Sequence, residues 1–285
     1  MAGVSRQSYY KAKKAAQARA ELVEQVLELV QTVRLRLPKL GTRKLYHILK
    51  QPLSAMKIGR DKLFAILRAN RLLIQPKRSY HKTTDSFHRF RKHKNTYRDL
   101  ELQRAEQAFV ADITYVGTRH KPLYLALVTD AYSKRIMGYD LSTSLAAQGA
   151  IRALKKAIKN RTYPQQALIH HSDRGFQYCC DAYQKLLNKA KIKCSMTEVY
   201  DPYENAVAER INGILKQELL PSNAALAKLN TSLAKKVVEQ AIDSYNQQRP
   251  HWSCQMKTPV QMHQQFNRIS IKTYKKGASD NAKTP

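Results

Sequence analysis

The chain has 285 residues, 43% of them apolar, and carries 51 Lys and Arg against 21 Asp and Glu, a formal net charge of +30. That apolar content supports a buried core and excludes a disordered basic tail, while the lack of a long apolar run argues against a membrane span. So positive a surface concentrates polyanions, and nucleic acid is the default partner because each neutralised phosphate releases counterions. No apolar stretch follows the first positive charges, so no signal peptide is expected. Cys179, Cys180, Cys194 and Cys254 form no Cys-x-x-Cys pair, which argues against zinc and suits core thiols in a reducing interior. The expected location is cytoplasmic, with nucleoid association when the protein is bound to DNA.

Residues 1–20 read as a basic helix. Gly3-Val4-Ser5 ahead of a polar run commonly starts the second helix of a helix-turn-helix, with Ser5 as N-cap, so this is a plain basic helix or a partial helix-turn-helix completed by another polypeptide. Residues 21–75 predict a helical DNA-binding domain. Leu22, Val23, Val26, Leu27, Leu29, Val30 and Val33 make one apolar face that ends near Pro38; shorter amphipathic helices follow over 42–49 and 59–68. Arg43, Lys44, Lys57, Arg60 and Lys62 are its candidate DNA contacts, against the alternative of a bundle with a solvated basic face. Residues 76–104 form a basic linker. Eight Lys and Arg lie between 77 and 98 against the single acid Asp85, interleaved with Tyr80, Phe87, Phe90 and Tyr97, which suggests a strap along a nucleic-acid backbone or a solvated tether.

Over residues 105–222 the period changes. Phe109–Val116, Leu123–Thr129 and Lys134–Leu141 read as strands; a helix is expected over 146–160, a strand over 167–171, a helix over 181–190 and a strand over 192–196. A meander followed by strands alternating with helices predicts an α/β fold, a mixed five-stranded sheet with flanking helices behind an all-α DNA-binding head. Pro202 then opens a helix whose apolar stripe is Val207, Ile211, Ile214, Leu215 and Leu219; Asn205, Glu209, Asn212 and Lys216 share another face and could lie against a DNA end. Residues 223–285 are expected to be a C-terminal helix, over 223–245, and a basic tail.

The carboxylates carry the chemistry. Asp112 sits mid-strand, where Asp is disfavoured and costly to bury unpaired, so it needs a partner, and in a protein this basic a metal ion is a strong candidate. Asp173 directly follows a strand, where α/β proteins place their sites, and Glu209 lies on the helix expected beside those strands. Three hard oxygen ligands from separate elements suit Mg²⁺ or Mn²⁺, and two such ions about 3.5–4 Å apart serve in-line phosphoryl displacement. Asp130 reads as a turn or capping residue. His170 and His171 are placed near the site in supporting roles.

Asp112-Ile113-Thr114-Tyr115, His171-Ser172-Asp173-Arg174-Gly175-Phe176-Gln177-Tyr178 and Glu204-Asn205-Ala206-Val207-Ala208-Glu209 resemble the three catalytic blocks of the integrase-core (DDE) transposases of bacterial insertion sequences. The 35 residues between Asp173 and Glu209 match the interval of that family and of retroviral integrases. Leu40-Gly41-Thr42-Arg43-Lys44-Leu45 resembles the family's helical DNA-binding module, and Tyr245-Asn246 with Arg249-Pro250-His251 and Thr258-Pro259 its C-terminal block. The resemblance is closest to the second-frame, OrfB-type proteins of the third-numbered insertion-sequence family. It implies a ribonuclease-H-like fold, metal-ligand and catalytic roles for Asp112, Asp173 and Glu209, and 3′-end nicking followed by strand transfer. It also implies a homo-oligomer on terminal-repeat and target DNA, and a first-frame helix-turn-helix protein joined by fusion or association. Asp201-Pro202-Tyr203-Glu204-Asn205 departs from a common Cys-Tyr-Asp-Asn run, and Cys254-Gln255 from Leu-Gly. The rival readings are a non-catalytic DNA-binding regulator of the full-length fusion and a ribonuclease-H-like nuclease.

Overall fold

The structure, a computed structural model, describes residues 5–75, 93–198 and 202–265, and the chain divides into two units, Met1–Lys77 and Arg78–Pro285. Residues 76–92 of the linker expected over 76–104, and the chain from 266, lie outside the described residues.

In the first unit, the basic helix and the amphipathic helix expected separately are one, α1 (Arg6–Arg36), because no Gly or Pro interrupts a run rich in Ala, Lys, Gln and Leu. Ser5 caps it, its hydroxyl accepting from the Ser8 N–H at 3.2 Å. Only the second half of α1 contributes buried residues, Val26 and Val30; residues 6–21 are exposed. Three short helices follow: α2 (Thr42–Ile48), α3 (Lys50–Ala55) and α4 (Arg60–Ala69). The sequence reading missed α3, whose Pro52 looks like a breaker but sits in a first turn, where its missing N–H costs nothing. Leu45, Leu53, Ile58, Leu63 and Leu67 are among the buried residues of these helices and their turns.

The second unit is built on a mixed sheet of five strands, β1 (Ala108–Tyr115), β2 (Tyr124–Asp130), β3 (Ile136–Ser142), β4 (Ile169–Ser172) and β5 (Lys193–Met196), in the order β3-β2-β1-β4-β5. β1, β2 and β3 are antiparallel neighbours, and β4 and β5 run parallel to β1. This is the ribonuclease-H-like arrangement. Helices α5 (Ala147–Lys159), α6 (Phe176–Cys179) and α7 (Asp181–Lys189) bury one face, where Phe109 and Ala111 of β1 meet Leu154, Tyr183 and Leu187. Gly138 in β3 has a packing reason: a Cβ there would run into the Ala153 carbonyl and the Ala157 nitrogen of α5.

The period of two in β1 sends alternate residues to the other face, where Ala108 and Val110 pack with Ala131 and with Ala208 of α8 (Ala206–Ile214). A 3-10 turn, Pro202–Asn205, leads into α8, and a π-helical turn, Leu215–Leu219, continues it. Ile211, Ile214, Leu215 and Leu219 of the expected stripe are buried, with Val207 half-buried. The single helix expected over 223–245 is two, α9 (Asn223–Lys228) and α10 (Thr231–Gln247), because Asn230 caps α10 by accepting from the Leu233 N–H at 2.8 Å.

Candidate active site

Backbone register brings the first two carboxylates together. Ala111 of β1 pairs with Ser172, the last residue of the parallel strand β4. Asp112 follows Ala111 within β1 and Asp173 follows Ser172 as the chain leaves β4, so the two aspartates occupy neighbouring positions on adjacent segments. Asp112 points to the α8 face, by alternation from Val110. Asp173 turns the chain after β4, its Oδ1 accepting from the Gly175 N–H at 3.0 Å.

The third carboxylate comes from α8, which is registered on β1 by side chains rather than by apolar contact alone. Asn205 Nδ2 donates to the Ala111 carbonyl at 3.1 Å, Asn212 Nδ2 to Asp112 Oδ2 at 2.6 Å, and Lys216 Nζ to Thr114 Oγ1 at 2.9 Å. Three side chains, one from the turn before α8, one from α8 and one from the π-helical turn after it, thus grip three positions of the strand. Asn205 and Asn212, expected as DNA contacts, reach β1 in the structure. Both side chains are buried, at 6% and 4% exposure, and their amides are committed to β1. Helical phase placed them correctly on the Glu209 face, but that face lies on the sheet. Lys216 remains exposed along its stem while its ammonium reaches the strand. Glu209, at the edge of the same face, is exposed.

Asp173 and Glu209 both act on Asp112. Burial, then the charge of Asp173 and to a smaller degree that of Glu209, push Asp112 up to about 7, against the Ile113 N–H and the Asn212 amide, which hold it down. Burial raises Glu209 as well. Lys216 is lowered by burial, an effect that Asp112 opposes. Tyr178, buried behind the site, is pushed well above its usual value by burial and then by Asp112 and Asp173. Among the described residues, no group of three or more His, Cys, Asp or Glu stands close enough together to hold a metal ion as placed. The chemistry of the donor set nevertheless fits a hard divalent cation: three carboxylates, one of them raised to about 7 first by burial and then by its acidic neighbours.

What supports α8 was not foreseen. Arg249, 1% exposed, makes a two-pronged ion pair with Glu218 of the π-helical turn, Nε to Oε2 at 2.8 Å and Nη2 to Oε1 at 2.7 Å. Asn246 Nδ2 donates to the Ile136 carbonyl at 3.0 Å, and its Oδ1 accepts from the Ile136 N–H at 2.9 Å; the Tyr245 hydroxyl donates to the Lys134 carbonyl at 2.9 Å. The C-terminal block is therefore a staple between the edge of the sheet and the helix that carries Glu209. In the first unit, Arg43, Lys57, Arg60 and Lys62 are exposed and Lys44 is half-buried; Arg60 pairs with Asp61 at 2.9 Å.

An integrase core domain family model matches residues 103–202, and a second integrase core domain model matches 190–259. The chain is 32% identical over 232 residues to the "Insertion element IS600 uncharacterized 31 kDa protein" of Shigella sonnei, covering 81% of this chain and 83% of that one. It is also 32% identical over 164 residues to the transposase InsF for insertion sequence IS3A of Escherichia coli K12, where 57% of this chain meets 56% of the relative, so the alignment spans about half of that protein's length. The HTLV-2 integrase catalytic core superposes with a TM-score of 0.44 at 21% identity, over 56% of this chain and 97% of that one. No helix among the described residues is long and apolar enough to cross a membrane. By these relatives and its integrase core, the chain belongs to the integrase-core transposases of bacterial insertion sequences, in the IS3 family.

Proposed function

We propose that this protein is a polynucleotidyl transferase that nicks insertion-sequence DNA at its 3′ ends and joins the freed 3′-OH to another phosphodiester. One observation carries the reading: on a protein of net charge +30, Asp173 at the β4 exit and Glu209 of α8 both act on Asp112 of β1, which burial and these neighbours push up to about 7. Acids that repel DNA phosphates make sense at that position with cations between them. Asp112, Asp173 and Glu209 would hold Mg²⁺ or Mn²⁺, two ions by family analogy. Bound there, such ions supply Lewis-acid polarisation of the scissile phosphate and activation of the attacking hydroxyl.

The chain's own residues do the positioning. Asn212 orients the Asp112 carboxylate through its 2.6 Å hydrogen bond, and Lys216 sets a positive charge beside it. Arg43, Lys44, Lys57, Arg60 and Lys62 supply phosphate contacts from the helical unit, on terminal-repeat or target duplex. A homo-oligomer on DNA, and a first-frame helix-turn-helix protein joined by fusion or association, complete the proposed assembly. The test is incubation of the protein, alone and with the first-frame portion fused, with labelled element-end DNA and Mg²⁺. Nicked and joined products are expected. DNA binding with no product in either form would leave a regulator rather than a transposase.

A further inference from the structure

The end of the expected basic linker packs within the second unit. Asn95 Oδ1 accepts from the Tyr97 and Arg98 N–H groups and closes a tight turn. From that turn the Thr96 N–H donates to Ser195 Oγ of β5 at 2.9 Å, and the Asn95 N–H to Glu198 Oε1 at 3.0 Å. The Tyr97 ring stacks on the imidazole of His171, with centroids 4.7 Å apart and planes 30° apart.

His171 is buried on β4, two residues before Asp173. Its Nδ1 lies 3.0 Å from Ser195 Oγ, and its Nε2 lies 3.0 Å from the Glu204 carbonyl. The two partners fix the tautomer. The Glu204 carbonyl can only accept, so Nε2 carries the ring proton and donates. In the neutral imidazole Nδ1 is then the acceptor, and it takes the proton of Ser195 Oγ, which itself accepts from the Thr96 N–H. Glu204 lies in the 3-10 turn that opens α8, and the next residue, Asn205, is the one whose amide holds the Ala111 carbonyl beside Asp112. A chain of contacts therefore runs from Asn95–Arg98 through Ser195 and His171 to the start of the helix bearing Glu209.

We infer that His171 is a positioning residue: by donating from Nε2 to the Glu204 carbonyl it seats the opening turn of α8, and so sets Glu209 against Asp112 and Asp173. The consequence for metal affinity rests on the proposed function; the seating of the turn does not. The side chains of Gln and Asn separate the two halves of the imidazole's role, because Gln Nε2 falls where His Nε2 does and can still donate to Glu204, whereas Asn Nδ2 reaches only the Ser195 side.

The experiment uses the full chain and its His171→Gln and His171→Asn variants, with two readouts. Amide hydrogen exchange over residues 202–210 in metal-free protein is expected to quicken about tenfold in H171N and to stay within about threefold of the parent in H171Q, the range expected for loss of a supporting hydrogen bond. Mn²⁺ titration is expected to weaken about tenfold in H171N and to be largely restored in H171Q. Equal exchange in the two variants, or no change in either, overturns the inference. Absence of Mn²⁺ binding by the parent chain counts against the metal reading alone, because the exchange comparison still decides whether His171 seats the turn. A general loss of stability would move both variants together and would not reproduce the Gln rescue.

Discussion

Two acid clusters sit at different levels of the β1–β2 pair, a base at the start of β1 and a top at mid-strand Asp112, and they are built on contrary principles. At the base, Glu106 and Asp130 are fully buried. Glu106 meets Arg161 at 3.0 Å and His263 at 3.2 Å and accepts from the Thr162 and Tyr163 N–H groups; Asp130 accepts from the Glu106 N–H and from the Ser133 N–H and hydroxyl. Burial would raise Glu106, but His263, Arg161 and the two N–H groups outweigh it and hold the carboxyl below its ordinary value. Asp130 is pushed up by burial despite the opposing charge of His263 and its hydrogen bonds. At the top, Asp112 has the amide of Asn212 and the Ile113 N–H, and two further carboxylates for company. The base is finished by groups within the chain. Under the proposed function, a divalent cation would complete the top.

The largest expected effect breaks the top without touching the base. Asp112→Asn, Asp173→Asn or Glu209→Gln should each lower strand transfer on the order of 10³-fold or more while leaving duplex binding within about twofold. Normal joining by any one of them removes that residue from the site. The reverse experiment is Arg161→Ala, which leaves Glu106 buried without its cation and should cost about 3–5 kcal/mol by denaturant melting. Its Mn²⁺ affinity, measured on the folded protein, should be unchanged; a parallel loss would mean the two clusters are not independent.

The pH profile separates the clusters by sign. The raised proton affinity of Asp112 means that its stabilising contribution is present below the ordinary carboxylate range and is lost as pH rises from about 4 through about 7. Glu106 is depressed, so its contribution is full above that range and is lost as pH falls below it. In metal-free protein, Asp112→Asn should therefore raise the melting temperature at pH 8 and leave it nearly unchanged at pH 4. A gain of equal size at both would contradict the cause assigned to the shift. Mg²⁺ at about a hundred times its Kd should stabilise the parent by about 2.7 kcal/mol and do nothing for Asp112→Asn.

The smallest effect sharpens the base alone. Gln255 has φ +54°, in the region that favours glycine, close to Cys254, whose thiol donates to the Ser133 carbonyl at 3.4 Å. Gln255→Gly should stabilise by about 1 kcal/mol with no change in metal affinity.

Sequence reading reached the parts of this site that local pattern encodes. Alternation in Phe109–Tyr115 located β1 and put Asp112 inside it, and helical phase grouped Glu209 with Asn205, Asn212 and Lys216. Phase alone could not say which face a helix with two usable faces presents to the sheet, so Asn205 and Asn212 were assigned to DNA when they grip β1. The rest depends on contacts that no local pattern carries. His263 meets Glu106 across 157 positions, Arg249 meets Glu218 across 31, and Asn95 joins Glu198 across 103. The break between α9 and α10 was legible in Asn230, a good N-cap set inside an otherwise helical pattern, and was passed over because the apolar spacing continues through it.

The account's central claim is that Asp112, Asp173 and Glu209 form an acid set that a divalent cation completes. Mn²⁺ titration followed by electron paramagnetic resonance, on the full chain and on Asp112→Asn, Asp173→Asn and Arg161→Ala, tests it most directly. Saturable binding should occur in the parent and in Arg161→Ala and be lost in both aspartate variants. Binding that survives Asp112→Asn and Asp173→Asn, or is absent from the parent, would contradict it.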